Sequence, residues 1–436
     1  MTAAIGTRAA REARPRSPAL IRNAAALMTS TLTTGVLSFA FWVLAARWFP
    51  AEVVGQISGL AASMALLAAL AQLNLISLYA RFLPRAGNRT GKLIRSGYGA
   101  AAGMSIVLTG GFFLLGWSAG LVADDPGTRL LFGAAVVASA IFFIQGSVLT
   151  ALGRAVWLPA INGLTSAARL ALLPLLAGAA VGGLFVAWAV PVVLSTLVVT
   201  WWVLARGAPA HARSHSAEPA GDRRELVGFA SAEYVNGMIN NTVAFLPPVL
   251  VVSVLGPEQG AYFYLPWLVG VSAVTLLWNV VTSFVVEASR DGTRARAHLN
   301  RMIGLVLAIV LPGALVLSLA AEPLLALLGP AYAEHGATPL RLIGLSLPFA
   351  GVILIFSAFS AMEKRMWRLV LVQGSGAVLL FAGIWAGLTP LGIVAPAAAL
   401  LVGQAAVALV LLPTLIRKYR EAGAPDRAPR WALEAA

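Results

Sequence analysis

The feature that most limits what this chain can become is a series of twelve long apolar segments separated by short polar ones. They run over about 24–46, 54–80, 96–122, 130–152, 156–176, 181–204, 227–255, 261–284, 303–326, 339–361, 369–388 and 391–416. A helix needs about 20 apolar residues to cross the hydrocarbon layer of a membrane, and each segment reaches that length. In lipid the backbone must satisfy its own polar groups, which leaves helices or a closed barrel. A barrel would alternate apolar and polar residues over segments of about 10, and no such alternation is present. The expected fold class is therefore all-α: a polytopic membrane protein with twelve transmembrane helices. Composition agrees, with 59% hydrophobic and 11% charged residues against roughly a quarter charged in soluble domains.

The net charge of +14 follows topology and gives no reason to invoke nucleic acid. Twenty-seven of the 31 Lys and Arg residues fall in alternate loops, all on one side of the membrane if twelve spans are counted. The other side keeps Arg47, Arg129 and Arg341, and Arg169 lies within a span. Basic residues accumulate in cytoplasmic loops, so both termini are expected inside the cell, in a multi-pass protein of the cytoplasmic membrane. The longest connection, 205–226, is rich in Ala, Pro, Ser and charge. It divides the chain into a lobe over 18–204 and a second over 227–420, with tails at 1–17 and 421–436 expected to be disordered. The chain has no cysteine, which excludes disulfides, thiolate metal sites and cysteine nucleophiles.

The two halves repeat one another. Ala151-Leu152-Gly153-Arg154-Ala155-Val156-Trp157 returns as Ala361-Met362-Glu363-Lys364-Arg365-Met366-Trp367 at an offset of 210, and Pro50-Ala51-Glu52-Val53-Val54-Gly55 is echoed by Gly256-Pro257-Glu258-Gln259-Gly260. Six spans separate the copies, so both run the same way through the membrane, related by an axis along its normal. Each half opens on a span with a polar stripe at helical spacing. In the first it is Asn23, Ser30, Thr31, Thr34 and Ser38, and in the seventh Glu233, Asn236, Asn240 and Asn241. Amides and hydroxyls facing lipid are costly, so the stripes either line a wet substrate pathway or bond helix to helix.

Ionisable groups within spans carry the sharpest expectations, because a charge at a helix centre costs about 2.5–3.5 kcal/mol on insertion scales. Arg169 shares a face with Asn162, Thr165 and Ser166; it is either a phosphate contact in a cleft between the lobes or a side chain that snorkels or bonds neighbouring helices. Glu233 is either an ion-coupling carboxylate or an interfacial acid paired with Arg223 or Arg224. Arg81 is either the first capture point for an anionic headgroup or one more positive-inside residue. Gly55 and Gly59 form a small-xxx-small pair of weak signal, and Pro247-Pro248 is the foremost candidate for a bend that moves. The four histidines fall in loops, Gly87-Asn88-Arg89-Thr90-Gly91-Lys92-Leu93 lacks the spacing of a phosphate-binding loop, and Asp124-Asp125 reads as a charged outer turn. No metal, cofactor or catalytic residue is expected.

Phe41-Trp42-Val43-Leu44-Ala45-Ala46-Arg47-Trp48-Phe49-Pro50, with Glu52-Val53-Val54-Gly55, Arg81-Phe82-Leu83-Pro84 and Ala151-Leu152-Gly153-Arg154, resembles the O-antigen-type oligosaccharide flippases. These belong to the multidrug, oligosaccharidyl-lipid and polysaccharide (MOP) exporter superfamily. The likeness implies two pseudo-symmetric six-helix lobes of MATE-like architecture working by alternating access. It implies as substrate a polyprenyl-pyrophosphate-linked sugar or oligosaccharide, flipped for cell-surface polysaccharide or lipopolysaccharide biosynthesis. On that reading Ser30, Thr34, Ser38, Asn236, Asn240 and Asn241 line the pathway, Arg81 and Arg169 meet phosphate, and Glu233 couples to H+ or Na+. The protein is expected to act as a monomer among membrane lipids and not as an enzyme. Two rivals are a multidrug or cation antiporter of the same superfamily and a membrane-embedded enzyme of polysaccharide assembly.

Overall fold

The computed structural model describes residues 18–117, 121–122, 125–176, 178, 180–214, 223–288, 295–363 and 365–421. Side chains of the first helix are described from Thr33 onward. Of the tails expected at 1–17 and 421–436, all but Glu421, the last residue of the final helix, lie outside this set.

The described chain is helical throughout. The first lobe comprises α1 (Pro18–Trp48), α2 (Ala51–Ala71), α3 (Leu75–Phe82), α4 (Thr90–Leu114), α5 (Pro126–Ala151), α6 (Leu158–Leu175) and α7 (Ala180–Trp202). A π-helical turn, Val203–Gly207, and the short α8 (Ala208–Ser214) carry α7 onward into the stretch expected as linker. The second lobe comprises α9 (Arg223–Leu255), α10 (Pro257–Ala288), α11 (Ala295–Leu319), α12 (Ala321–Ala326), α13 (Pro330–Met362), α14 (Met366–Leu391) and α15 (Val394–Glu421). Among the described residues eleven stretches of helix are long and apolar enough to cross a membrane; α1 stands outside those eleven, although it is 31 residues long.

Helix neighbours repeat from lobe to lobe. In the first lobe α1 packs on α6, α2 on α5, α4 on α5, α5 on α7 and α6 on α7. In the second, α9 packs on α14, α10 on α13, α11 on α13, α13 on α15 and α14 on α15. The pairs correspond one to one, as a parallel repeat requires. The lobes meet where α2 lies against α9 and α10. One end of the bundle carries the basic turns after α3, α5 and α7 and is called the basic end below. The opposite end holds the junctions at Phe49-Pro50 and Gly256.

Three local features depart from uniform spans. The second apolar segment is not one helix: it breaks at Gln72-Leu73-Asn74, where Leu73 and Asn74 take left-handed φ of 52° and 53°. Asn tolerates that region through local hydrogen bonding and Leu does not, so the break costs on the order of 1 kcal/mol. It re-aims α3, whose Tyr79 hydroxyl donates to the Leu93 carbonyl at 3.0 Å. A Cβ on Gly97 would fall 1.8 Å from that hydroxyl oxygen. In α9, Pro248 lacks the N–H that would satisfy the Ala244 carbonyl, and the Trp267 indole of α10 donates to it instead at 2.8 Å. The expected moving bend is therefore tied to its neighbour in this state. The third feature is the repeated turn after α5 and α13. Gly153, at φ 74°, lets Arg154 N–H close on the Leu149 carbonyl at 2.7 Å, a left-handed helix stop. In the second lobe Arg365 N–H closes on the Ser360 carbonyl at 2.9 Å. The backbone thus pairs Arg154 with Arg365, one residue away from the sequence-based offset.

Asp125, of the acidic pair read as an outer turn, caps α5: its carboxylate accepts the Thr128 N–H at 2.8 Å. Hydrogen bonds from Thr128 hold that carboxyl below its ordinary range. Asp124 lies outside the described residues.

Candidate functional site: the seam between the lobes

At the opposite end the seam is shut by backbone contact. Gly55, in the first turns of α2, faces the start of α10 so closely that a Cβ there would lie 1.6 Å from the Pro257 carbonyl oxygen and 3.0 Å from the Ala261 nitrogen. One turn on, a Cβ on Gly59 would meet Leu121 at 2.7 Å and Val252 of α9 at 3.2 Å. Arg47 adds a polar stitch, its Nε donating to the Leu327 carbonyl of the second lobe at 2.8 Å. The glycine pair, a weak signal in sequence, lies where the two lobes approach closely at this end. Sequence spacing shows that two small residues share a face; it does not show what that face meets.

Beneath this seal lies an aromatic cluster drawn from both lobes. Trp42 of α1 packs on Tyr264 of α10 with ring centroids 4.8 Å apart and on Trp188 of α7 at 5.3 Å, while Phe41 closes on Trp188 at 5.1 Å. By helical rise, Trp42 and Tyr264 are each about 10 Å below the opposite end. Arg169 of α6 joins them: its guanidinium lies 3.8 Å from the centroid of the Trp188 ring, and its Nε donates to the Trp188 carbonyl at 3.1 Å. Pro191, in the same turn of α7, supplies no N–H to the local ladder. Among the described residues Arg169 has no carboxylate partner, and its two terminal nitrogens keep their donors for another acceptor. The stack fixes the plane of the guanidinium and leaves its fork free.

The polar stripes lie nearer the basic end. Ser30, with Asn23 and Thr31, has its side chain outside the described set. Thr34 and Ser38 are half-buried, and the Thr34 hydroxyl is buried without a hydrogen-bond partner among the described residues. Asn236 is buried and its side-chain oxygen likewise lacks a partner. Asn240 is exposed, its amide nitrogen donating to the Asn236 carbonyl one turn back at 2.8 Å, and Asn241 is half-buried. That amide bond runs along α9 and does not tie it to another helix.

Glu233 sits one turn further toward the basic end. Its Oε1 accepts the Ser77 hydroxyl of α3 at 2.7 Å, which links the lobes across the seam. Ser77 and Arg81 are four apart on α3 and so share a face; Arg81 is exposed there. The structure does not bring Arg81 and Arg169 together, since Arg169 lies about 16 Å up α6 from the basic end. Trp42, Trp188, Tyr264 and Ser77 were not singled out from sequence. Trp42 stands within the family-like phrase, but an aromatic in an apolar span looks like packing. Ser77 had a usable signal, a hydroxyl one turn before Arg81. Among the described residues no three His, Asp or Glu side chains gather as metal ligands.

No family model matches the chain, and no curated protein matches it. Solved structures do. One, described as the inward-facing conformation of a multidrug resistance MATE family transporter of the MOP superfamily, has a TM-score of 0.60 at 15% identity, over 94% of this chain and all of that one (100%). The outward-facing conformation of such a transporter scores 0.56 at 14% identity, over 92% of this chain and 95% of the other. A MOP superfamily transporter from Pyrococcus furiosus, described as having a binding pocket of reverse polarity that suggests a different function, scores 0.56 at 13% identity over the same shares, 92% and 95%. At 13–15% identity these likenesses show the fold: over more than nine-tenths of its length the chain has a MATE-like fold.

Proposed function

We propose that the chain flips a polyprenyl-pyrophosphate-linked sugar or oligosaccharide across the cytoplasmic membrane by alternating access, for assembly of cell-surface polysaccharide. The observation that carries this reading is Arg169: a cation at the seam, stacked on Trp188, with no carboxylate partner among the described residues and a free donor fork. A guanidinium held in that way suits phosphate oxygens and repels the cationic compounds that antiporters carry. The basic end is taken as cytoplasmic from the distribution of Lys and Arg, so the Gly55 seal closes the outer side. The substrate then enters past Arg81 and its sugar hydroxyls pass Ser30, Thr34, Ser38, Asn236, Asn240 and Asn241. Its pyrophosphate rises to Arg169 while the prenyl tail stays in lipid. Glu233 takes the H+ or Na+ that drives the cycle, and a monomer suffices.

The rival antiporter reading rests on the same fold and would use the aromatic cluster as a cage for cations. Proteoliposomes loaded with a fluorescent lipid-linked pyrophosphate sugar separate the two. Arg169→Ala is expected to slow flipping by about 10-fold or more, the cost of losing a charge-assisted hydrogen bond, with the protein still folded. A wild-type protein that leaves the lipid-linked sugar in place but expels a cationic dye, with Arg169→Ala unimpaired, would sink the flippase reading.

A further inference from the structure

Away from the seam, at the basic end of the first lobe, two turns converge in a way the transport reading does not use. The stop after α5 at Gly153 projects Arg154 and begins a 3-10 turn, Ala155–Trp157. The π-helical turn Val203–Gly207 closes α7 beside it. Gly207 makes the approach possible: a Cβ there would lie 2.9 Å from the Trp202 ring and 3.1 Å from Leu152. As a result Trp202 packs on Trp157 with centroids 4.5 Å apart. Arg154 lies 5.4 Å from the Trp157 ring of this pair, and Arg206 lies 5.8 Å from the ring of Trp201, the residue next to Trp202 on α7. Both arginines are exposed, as are Trp157 at 36% and Trp201 at 61%, and neither arginine has an ion pair among the described residues.

The second lobe supplies an internal comparison. Its equivalent turn has Glu363 and Lys364 where the first has Leu152 and Gly153. Glu363 accepts Lys418 and lies 3.9 Å from Arg368, so a carboxylate offsets part of the positive charge of that copy. The turn of the first copy carries no carboxylate.

We propose that the Arg154–Trp157 turn and the π-helical turn through Arg206 form a binding site for the phosphate of an anionic phospholipid. The indoles fit the level between acyl chain and headgroup, and each unpaired guanidinium beside them attracts an anionic headgroup. A π-helical turn at the end of a span is a common mark of a functional position. Zwitterionic lipid offers the same phosphate with a choline charge that opposes both arginines, so the site discriminates by net charge.

The test uses the full chain in detergent with phosphatidylglycerol and phosphatidylcholine at equal concentration, with retained lipids counted by native mass spectrometry. The wild type is expected to keep phosphatidylglycerol in preference. Arg154→Gln with Arg206→Gln is expected to reduce that preference about fivefold for each arginine removed, whereas Arg368→Gln leaves it unchanged. An undiminished preference in the double variant overturns the proposal. So does loss of the lipid to inorganic phosphate, which would mark a site for the free ion. If the double variant does not fold, the unaltered protein decides in vesicles. Stronger quenching of tryptophan fluorescence by brominated phosphatidylglycerol than by brominated phosphatidylcholine supports the site, and equal quenching overturns it.

Discussion

Arg169 and Glu233 show how differently two intramembrane charges are held. Arg169 is fixed by a ring and a carbonyl, neither of which cancels its charge. Lysine would keep the charge but lose the planar stack and the second donor direction, so Arg169→Lys is expected to transport at a rate between wild type and Arg169→Ala in the proteoliposome assay. Full activity in the lysine variant would mean that charge alone matters and the Trp188 stack does not. Glu233 instead has a neutral partner across the seam, the Ser77 hydroxyl. Glutamine keeps an acceptor for Ser77 and discards the charge, so Glu233→Gln is expected to abolish gradient-driven transport while thermal stability stays close to wild type. Transport by Glu233→Gln that still follows an imposed H+ or Na+ gradient removes Glu233 from coupling. Both residues were legible in sequence because an ionisable group inside a span is rare and costly. Their partners were not: Trp188 and Tyr264 are ordinary apolar-span aromatics, and their meeting depends on how α6, α7 and α10 pack.

Helices were legible as elements from apolar length alone, but their interruptions were not. The break at Leu73-Asn74 carries neither Gly nor Pro, the usual signs of a stop; it accompanies the packing of Tyr79 against Gly97 and of Ser77 against Glu233. The opposite-end seal is likewise a property of two elements together. Because the atoms facing Gly55 are backbone atoms of α10, they have no rotamer through which to yield. Gly55→Ala is expected to cost about 1–3 kcal/mol, the usual range for overpacking, read as a lowered unfolding temperature. Gly103→Ala on α4, with open space around the new methyl, should be near neutral. Equal behaviour of the two would show that α2 and α10 do not meet as described. At the start of α5 the Asp125 cap makes a pH-dependent contribution. Its folded carboxyl is held down, so the cap is present above the unfolded Asp range and lost as pH falls through the lower folded value. Amide exchange at Thr128 should quicken over that fall in the wild type. Asp125→Asn, which caps without a titrating group, should show no such change.

At the scale of the molecule the pseudo-twofold explains which residues can work together. Five helix pairs recur in both lobes, so on the transport reading motion between states is expected to be rigid movement of one lobe against the other, governed by residues on the seam. Those contacts sort by depth: backbone on backbone at Gly55, aromatic on aromatic at Trp42 and Tyr264, and a single hydroxyl on a carboxylate at Ser77 and Glu233. The first leaves no room for water, and the last is a contact that water can replace at little cost. On the transport reading, a seam built in that gradient is expected to stay shut at one end and to yield at the other. The absence of natural cysteine makes the consequence measurable with single introduced thiols. Thr34→Cys and Asn240→Cys are expected to react with an impermeant thiol reagent added at the basic end and to resist the same reagent added at the opposite end. Combining either with Gly55→Ala should open the second route, since the methyl displaces α10 from α2. Thiols unreactive from both ends would mean a dry seam between the lobes, and no headgroup could then pass along it.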